Sequence, residues 1–240
     1  LHLSLRRQRQ MCIRDSQKAV IRYVSTNGNR VLTTDEVTGK SGEAIAYSTT
    51  SQITEFKKQG YKLVSDEFTA GGAKVYDYDT ARDQVYTVTL SERVEPVNPD
   101  NPTPQPNTPV NPGQPDSPRW PASVHDLDNK ESVSRTIHYV YEDGSKAKDD
   151  VVETLNFKRW SHINLVTGHI DFQDWTTNDD TFDKVVSPTI AGYTADKSEI
   201  PAVSGVKAKD QDRVETVTYR KDVQKAVIRY VSTCLLYTSP

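Results

Sequence analysis

The sequence predicts an α+β, strand-rich protein: two similar small domains forming one unit of a tandem array. Three observations predict it. Gln17–Thr26, reading QKAVIRYVST, recurs without change at Gln224–Thr233. Period-2 apolar strands flank Asn27-Gly28 in the first half and Asp143-Gly144 in the second. A Pro-rich stretch separates the halves.

The second copy of the decapeptide begins 207 residues after the first (224 − 17). Identity over that distance marks a repeat, and repeats of one unit stack or chain into arrays. One full unit then runs from Gln17 to Val223, and 223–233 reads as the first strand of the next. The flanks break off abruptly. Met11–Asp15 back-translates as ATG TGT ATA AGA GAC and Cys234–Thr238 as TGT CTC TTA TAC ACA. Apart from their end bases, these strings are reverse complements, and both resemble a transposase adaptor used in DNA-library preparation. CGT CGG CAG CGT CAG for Arg6–Gln10 extends the match. Residues 1–16 and 234–240 are therefore read as translated adaptor and set aside from fold reasoning. The alternative for residues 1–9 is a basic targeting arm, which no apolar segment follows.

Both cysteines, Cys12 and Cys234, fall in the adaptor-like ends, so the native unit offers no disulfide, thiol nucleophile or Cys-ligated zinc. The net charge is −3. Arg6, Arg7, Arg9 and Arg14 against Asp15 contribute +3 of it, which leaves the native part near −6 (−3 − 3). That acidic balance lacks the basic face expected of a nucleic-acid binder, and no apolar run approaches the ~20 residues of a membrane span.

In chain order, Ala19–Ser25 alternates as a strand and Asn27-Gly28-Asn29 is a hairpin turn, both central residues tolerating positive φ. Arg30–Thr34 returns as the second strand. Thr49-Thr50-Ser51-Gln52 has the capping-box pattern of a helix start. Ile53 and Phe56 share one helical face, and Gly60 supplies a left-handed stop. Tyr61–Ser65 is a third strand and Val85–Leu90 a closing one. The order β-β-α-β-β within 17–92 is that of a β-grasp (ubiquitin-like) domain.

Ten of the thirteen prolines fall between Pro96 and Pro121. Each fixes φ and removes a backbone donor, so 93–130 reads as a semi-rigid linker whose polyproline II part, Pro96 to Pro121, reaches roughly 80 Å at ~3.1 Å per residue. Pro106–Pro109 also fits a P-x-x-P docking string. Residues 131–222 then restate the first domain. Arg135–Tyr141 is an alternating strand, Gly192-Tyr193 parallels Gly60-Tyr61, and Val214–Tyr219 parallels Val85–Leu90. Gly60 lies 37 residues after Tyr23 (60 − 23) and Gly192 lies 53 after Tyr139 (192 − 139), so about 16 residues are added. They fall between Phe157 and Phe182 as a hairpin turning at Thr167-Gly168.

On these residues the chain resembles a repeat of the bacterial mucus-binding (Mub) family, built from MucBP-type domains. The resemblance rests on Gln17–Val24, Thr38–Glu43, Gly60–Asp66 and Val85–Leu90. In the second half it rests on Arg135–Tyr141, Val166–Gly168, Phe182-Asp183, Ser187–Tyr193 and the strand ending at Tyr219. It covers essentially all of 17–223. It implies β-grasp domains in a secreted, wall-anchored surface adhesin of lactic-acid bacteria, with host mucin glycans as partner and immunoglobulin as a second one for some repeats. Neighbouring repeats of the same chain are the remaining expected contacts. Arg159-Trp160-Ser161-His162 departs from the Thr-rich strand expected there. The resemblance supplies no ligand triad to transfer.

Sugar faces are held by aromatic stacking and planar hydrogen-bonding groups. Trp160 and Trp175 lie in the added hairpin with His162, His169 and Gln173, and these five are the candidate ligand-binding residues. The opposing reading is plain packing of large aromatics, and Trp120, between Pro118 and Pro121, reads as a pin of the linker to the second domain. His162, His169, Asp171 and Asp174 match no zinc spacing, and Asp126, Asp128 and 178–180 match no EF-hand loop. No nucleophile elbow, phosphate-cradling loop or His-Glu-x-x-His occurs. The expectation is a non-enzymatic module without metal or cofactor. Its alternative role is a passive stalk that lifts a distal binding domain from the wall.

Overall fold

The computed structural model of the chain describes residues 16–231. The adaptor-like ends therefore lie outside the described residues, except Ser16, which opens β1. The chain divides into two compact units. Of the described residues, 16–130 together with Lys158–Trp175 form the first, and Glu131–Phe157 with 176–231 form the second.

The first unit starts with β1 (Ser16–Ser25) and β2 (Val31–Lys40), then α1 (Thr50–Lys58), β3 (Tyr61–Asp66) and β4 (Gln84–Glu92). This is the order read from the sequence. Positive φ at Gly28 and Asn29 closes the β1–β2 hairpin. The sheet order is β2-β1-β4-β3. β1 runs antiparallel to β2 and parallel to β4, from Ala19↔Gln84 to Ser25↔Leu90. A parallel pair cannot be joined by a tight turn, so α1 and β3 fall in the crossover between them. Ala19, Ile21 and Tyr23 are fully buried on one face of β1, while the intervening Arg22 is exposed. Nine residues are too few for a stable isolated helix. α1 is held by burial of Ile53 and Phe56, each contributing about 1.5–3 kcal/mol. The Phe56 ring lies between Tyr23 and Tyr61, at centroid distances of 5.6 and 5.7 Å.

The capping box does not form. The Thr49 hydroxyl donates to Asp66 Oδ2 at 2.6 Å and makes no cap bond, while Ser48 Oγ accepts from the Thr50 N–H at 3.3 Å. A hydroxyl offered a carboxylate makes the stronger, charge-assisted bond. Behind it, Tyr47 donates to Asp35 and meets the Tyr23 hydroxyl at 2.9 Å. Burial and these bonds hold the Tyr47 phenol far above its ordinary pKa.

The Pro-rich stretch is folded, which corrects the extended-linker reading. β5 (Val94–Val97) follows β4 after a single residue. It pairs antiparallel with β8 (Ser161–Asn164), which pairs with β9 (Ile170–Phe172). Asn107 N–H donates to the Trp120 carbonyl at 2.9 Å, Trp120 N–H to the Thr108 carbonyl at 3.0 Å, and Val110 N–H to the Pro118 carbonyl at 2.9 Å. The prolines take part as acceptors, and the N–H groups of the spacers between them donate. A 3₁₀ turn at Ala122–Asp126 completes the segment. Val97, Val124 and Ile163 form its core, with Trp120, Leu127 and Ile170 packed against them. Trp120 does act as a pin, but within the first unit.

The added hairpin exists where the sequence places it, turning through Gly168 at φ +74°. It belongs, however, to the first unit and not to the second domain. Leu165 N–H donates to the Arg93 carbonyl at 2.9 Å, and Asn164 donates to Glu92 at 2.7 Å. Gly60 meets it at φ +96°, where an added Cβ would stand 2.9 Å from Leu165 Cβ.

The second unit contains β6 (Lys130–Tyr141), β7 (Lys146–Lys158), β10 (Val185–Val186), β11 (Tyr193–Ala195), β12 (Glu199–Ile200) and β13 (Arg213–Lys221). Its sheet, β11-β13-β6-β7, repeats the first, with β13 parallel to β6. Even the Gly-Tyr junctions match: Arg93 N–H donates to Gly60 and Asp222 N–H to Gly192. No helix lies among its described residues, so the β-grasp expectation for this half meets the strand order without the crossing helix. Tyr139, Val217, Tyr219 and Ile137 are buried together with Ile200 of the small β10–β12 ladder. Arg135 is 1% exposed; it reaches Glu153 and the Pro201 and Asp183 carbonyls and lies over the Phe182 ring.

The decapeptide behaves differently in its two positions. In β1 it is paired on both sides, whereas its described second copy, 224–231, forms no strand and is exposed.

Candidate functional site

The five candidate residues lie on one hairpin, but the sheet separates them by role. In β8, Ser161 and Ile163 are fully buried, while the alternate His162 and Asn164 are half-buried. Alternation along a strand therefore turns His162 and Asn164 to the opposite face. Directly opposed residues share a face. His162 faces Asp171 on β9 and Pro96 on β5, and Asn164 faces Val94. Val94, Pro96 and Asp171 are all exposed. Pro96 is tolerated because β5 is an edge strand of this sheet.

Trp160 precedes the buried Ser161 and is 42% exposed. Its carbonyl accepts from the N–H of the exposed Gln173 at 2.9 Å, which extends the hairpin ladder by one pair. Trp160, His162 and Gln173 thus lie at the open end of the β8–β9 ladder. His169 sits at the turn end, with Nε2 3.1 Å from Asp171 Oδ1 and both side chains well exposed.

Trp175 serves packing. Arg159 lies over its ring at 4.3 Å and over Phe172 at 3.9 Å. The same guanidinium donates to the Asp128 carbonyl at 2.7 Å and to its carboxylate at 3.0 Å. This arrangement clamps the end of the Pro-rich segment to the hairpin, and it explains the Arg-Trp-Ser-His departure noted in the sequence. Arg159 is the linking cation, and Trp175 and Phe172 are its stacking faces.

Sequence reasoning missed Val94 and Pro96, which enter the face through pairing across more than sixty residues. The alternating Val94-Glu95-Pro96-Val97 beside a closing strand was the available signal. Among the described residues no group of three or more His, Cys, Asp or Glu is placed to hold a metal ion. No described helix is long and apolar enough to cross a membrane.

The family described as mucin binding domain matches residues 17–92, and that described as Muc B2-like domain matches 124–223. A crystal structure of Mub-RV superposes with a TM-score of 0.68 at 26% identity, covering 86% of this chain and 100% of that one. The type 2 repeat of the mucus binding protein MUB from Lactobacillus reuteri superposes at 0.55 and 28% identity, with the same shares covered. The chain belongs to the mucus-binding repeat family. No curated protein matches it. The repeat is therefore of the mucus-binding adhesin type, and the matched share of the chain is close to one 207-residue period.

Proposed function

We propose that this mucus-binding repeat is an adhesin module that works outside the cell and holds host mucin glycans on the outward face of the β5-β8-β9 sheet. The supporting observation is the partial exposure of Trp160 beside polar His162 and Gln173, on a face whose opposite side is the packed core. A half-exposed indole offers an apolar plane to a pyranose ring, and the imidazole and amide offer directional hydrogen bonds. Trp175 is a support of that face through Arg159, and His169 with Asp171 borders it at the turn.

The test uses the repeat on immobilised mucin before and after enzymatic removal of the glycans. Trp160→Ala should lose retention while keeping its melting temperature. Trp175→Ala should lose stability first. Retention that is indifferent to deglycosylation and to Trp160→Ala would refute the reading, and a folded repeat that never binds would support the stalk role.

A further inference from the structure

A second feature of the first unit lies away from the hairpin face. A cleft of about 430 Å³ opens between the end of α1 with the start of β3 on one side and the tip of the Pro-rich segment on the other. Lys57, Tyr61, Lys62, Arg93, Gln114 and Asp116 are among its lining residues. That volume falls within the ~300–1,000 Å³ of small-ligand pockets.

Its charge runs against that of the chain. Three cations and one carboxylate line a cleft in a protein of net charge −3. Arg93 is bound to Glu95, and Asp116 lies 3.8 Å from Lys58. Among the described residues neither Lys57 nor Lys62 has a carboxylate partner, so their two charges remain unmatched. Lys57 in the last turn of α1 complements the helix dipole. That role does not account for Lys62, which faces the same cleft from the other side of the Gly60 turn.

The opposite wall is fixed by its own bonds. Ser117 Oγ accepts from Asn111 N–H at 2.8 Å and donates to the Pro118 carbonyl at 3.1 Å. Ser117 N–H donates to the Gln114 carbonyl at 3.1 Å. The Pro-rich tip is thus a formed wall whose loop entropy is already spent.

We infer that this cleft binds the acidic group of a saccharide, a sugar carboxylate or sulfate ester, between the ammonium groups of Lys57 and Lys62. The inference deepens the mucin reading and rests on it for its biological setting. It also removes a difficulty of that reading. An acidic protein and an acidic mucus repel one another at long range, and a local pair of free cations supplies attraction at contact.

The experiment titrates the full chain with three free monosaccharides: a sialic acid, N-acetylglucosamine 6-sulfate and neutral N-acetylglucosamine. The variants are the double lysine change Lys57→Ser/Lys62→Ser and, separately, Trp160→Ala. Both lysines are exposed, so the double variant should fold, as circular dichroism would verify. The acidic sugars should bind more tightly than the neutral one. The double variant should lose tenfold or more in that affinity, and Trp160→Ala should leave it unchanged. The preference should fade as salt rises from about 10 mM to about 150 mM, where screening lengths fall from ~30 to ~8 Å. Comparing the sialic acid with the sulfate separates the two sources of charge. Equal affinity for the neutral sugar, or an unchanged double variant, would overturn the inference. Mucin retention that survives the double variant but not Trp160→Ala would leave the hairpin face standing and remove the cleft from adhesion. Acidic-sugar binding through the lysines without any mucin retention would do the reverse.

Discussion

Replacing Ile163 with alanine tests whether the Pro-rich stretch is structural. Ile163 is fully buried at the centre of a small cluster holding only Val97 and Val124 as further buried members. Removing an isoleucine side chain from a packed core costs about 2–5 kcal/mol. The larger core of the first unit, around Tyr23 and Phe56, does not include Ile163. A loss of about 3 kcal/mol multiplies the open population roughly a hundredfold, at ~1.4 kcal/mol per factor of ten. Opening should therefore be local, releasing β5, β8, β9 and the segment from Asn98 to Asp126 while the four-stranded sheet stays closed. The assay is native-state hydrogen exchange resolved by residue. The amides of Asn107, Val110 and Trp120 should be protected in the parent chain through their bonds at 2.9, 2.9 and 3.0 Å, and they should exchange about a hundredfold faster in Ile163→Ala. The amides of β1 and β4 should barely change. If Asn107, Val110 and Trp120 already exchange at free-peptide rates in the parent, the stretch is a linker and the argument fails.

Three further outcomes are expected. Gly60→Ala should lower the melting temperature, because its φ of +96° is strained for alanine and its new methyl would meet the Leu165 carbonyl oxygen at 3.1 Å. A cost of about 1–3 kcal/mol follows, and chemical denaturation would check it. Arg135→Met should cost roughly 3 kcal/mol in the second unit by leaving Glu153 and two carbonyls without their donor, again read by denaturation; an unchanged midpoint would refute that role. With pH, two effects should oppose one another. The Asp143 carboxyl is lowered first by the Ser145 hydroxyl, and Asp212 by the Ser134 N–H. A lowered carboxyl stabilises the fold above its ordinary pKa and loses that contribution as pH falls from there through the lowered value of the folded state. Urea midpoints should therefore drop below about pH 4, whereas mucin retention at low salt should rise from neutral pH to about 4.5 as carboxylate repulsion fades.

Much of the first sheet was legible because its determinants are local. Asn27-Gly28 specifies a hairpin through backbone sterics alone, and the period-2 pattern of Ala19, Ile21 and Tyr23 states which face is buried. Gly60-Tyr61 and Gly192-Tyr193 repeat a junction that needs positive φ followed by a strand. The hairpin turn at Gly168 was readable for the same reason. Of the five candidate residues, the placement on one hairpin was legible, but the different surroundings of Trp160 and Trp175 were not. One indole faces solvent and the other stacks on Arg159, and sequence spacing holds no record of which.

The sequence by itself determined the repeat, the strand pattern, the turns and the family resemblance. Tertiary structure alone decided where distant strands pair. β5 finds β8 more than sixty residues later, and that pairing turns a proline-rich run into a wall of the first unit. Polyproline composition sets φ and removes donors, but it leaves every carbonyl and every spacer N–H free to bond when a partner arrives. The same lesson appears in the decapeptide. As β1, Val20, Ile21 and Tyr23 are at most 5% exposed, whereas Val227, Ile228 and Tyr230 of its copy are 74–93% exposed. Identical side chains carry identical propensity. What differs is the presence of β2 and β4 alongside, because a strand's backbone bonds and buried face are completed only by its neighbours.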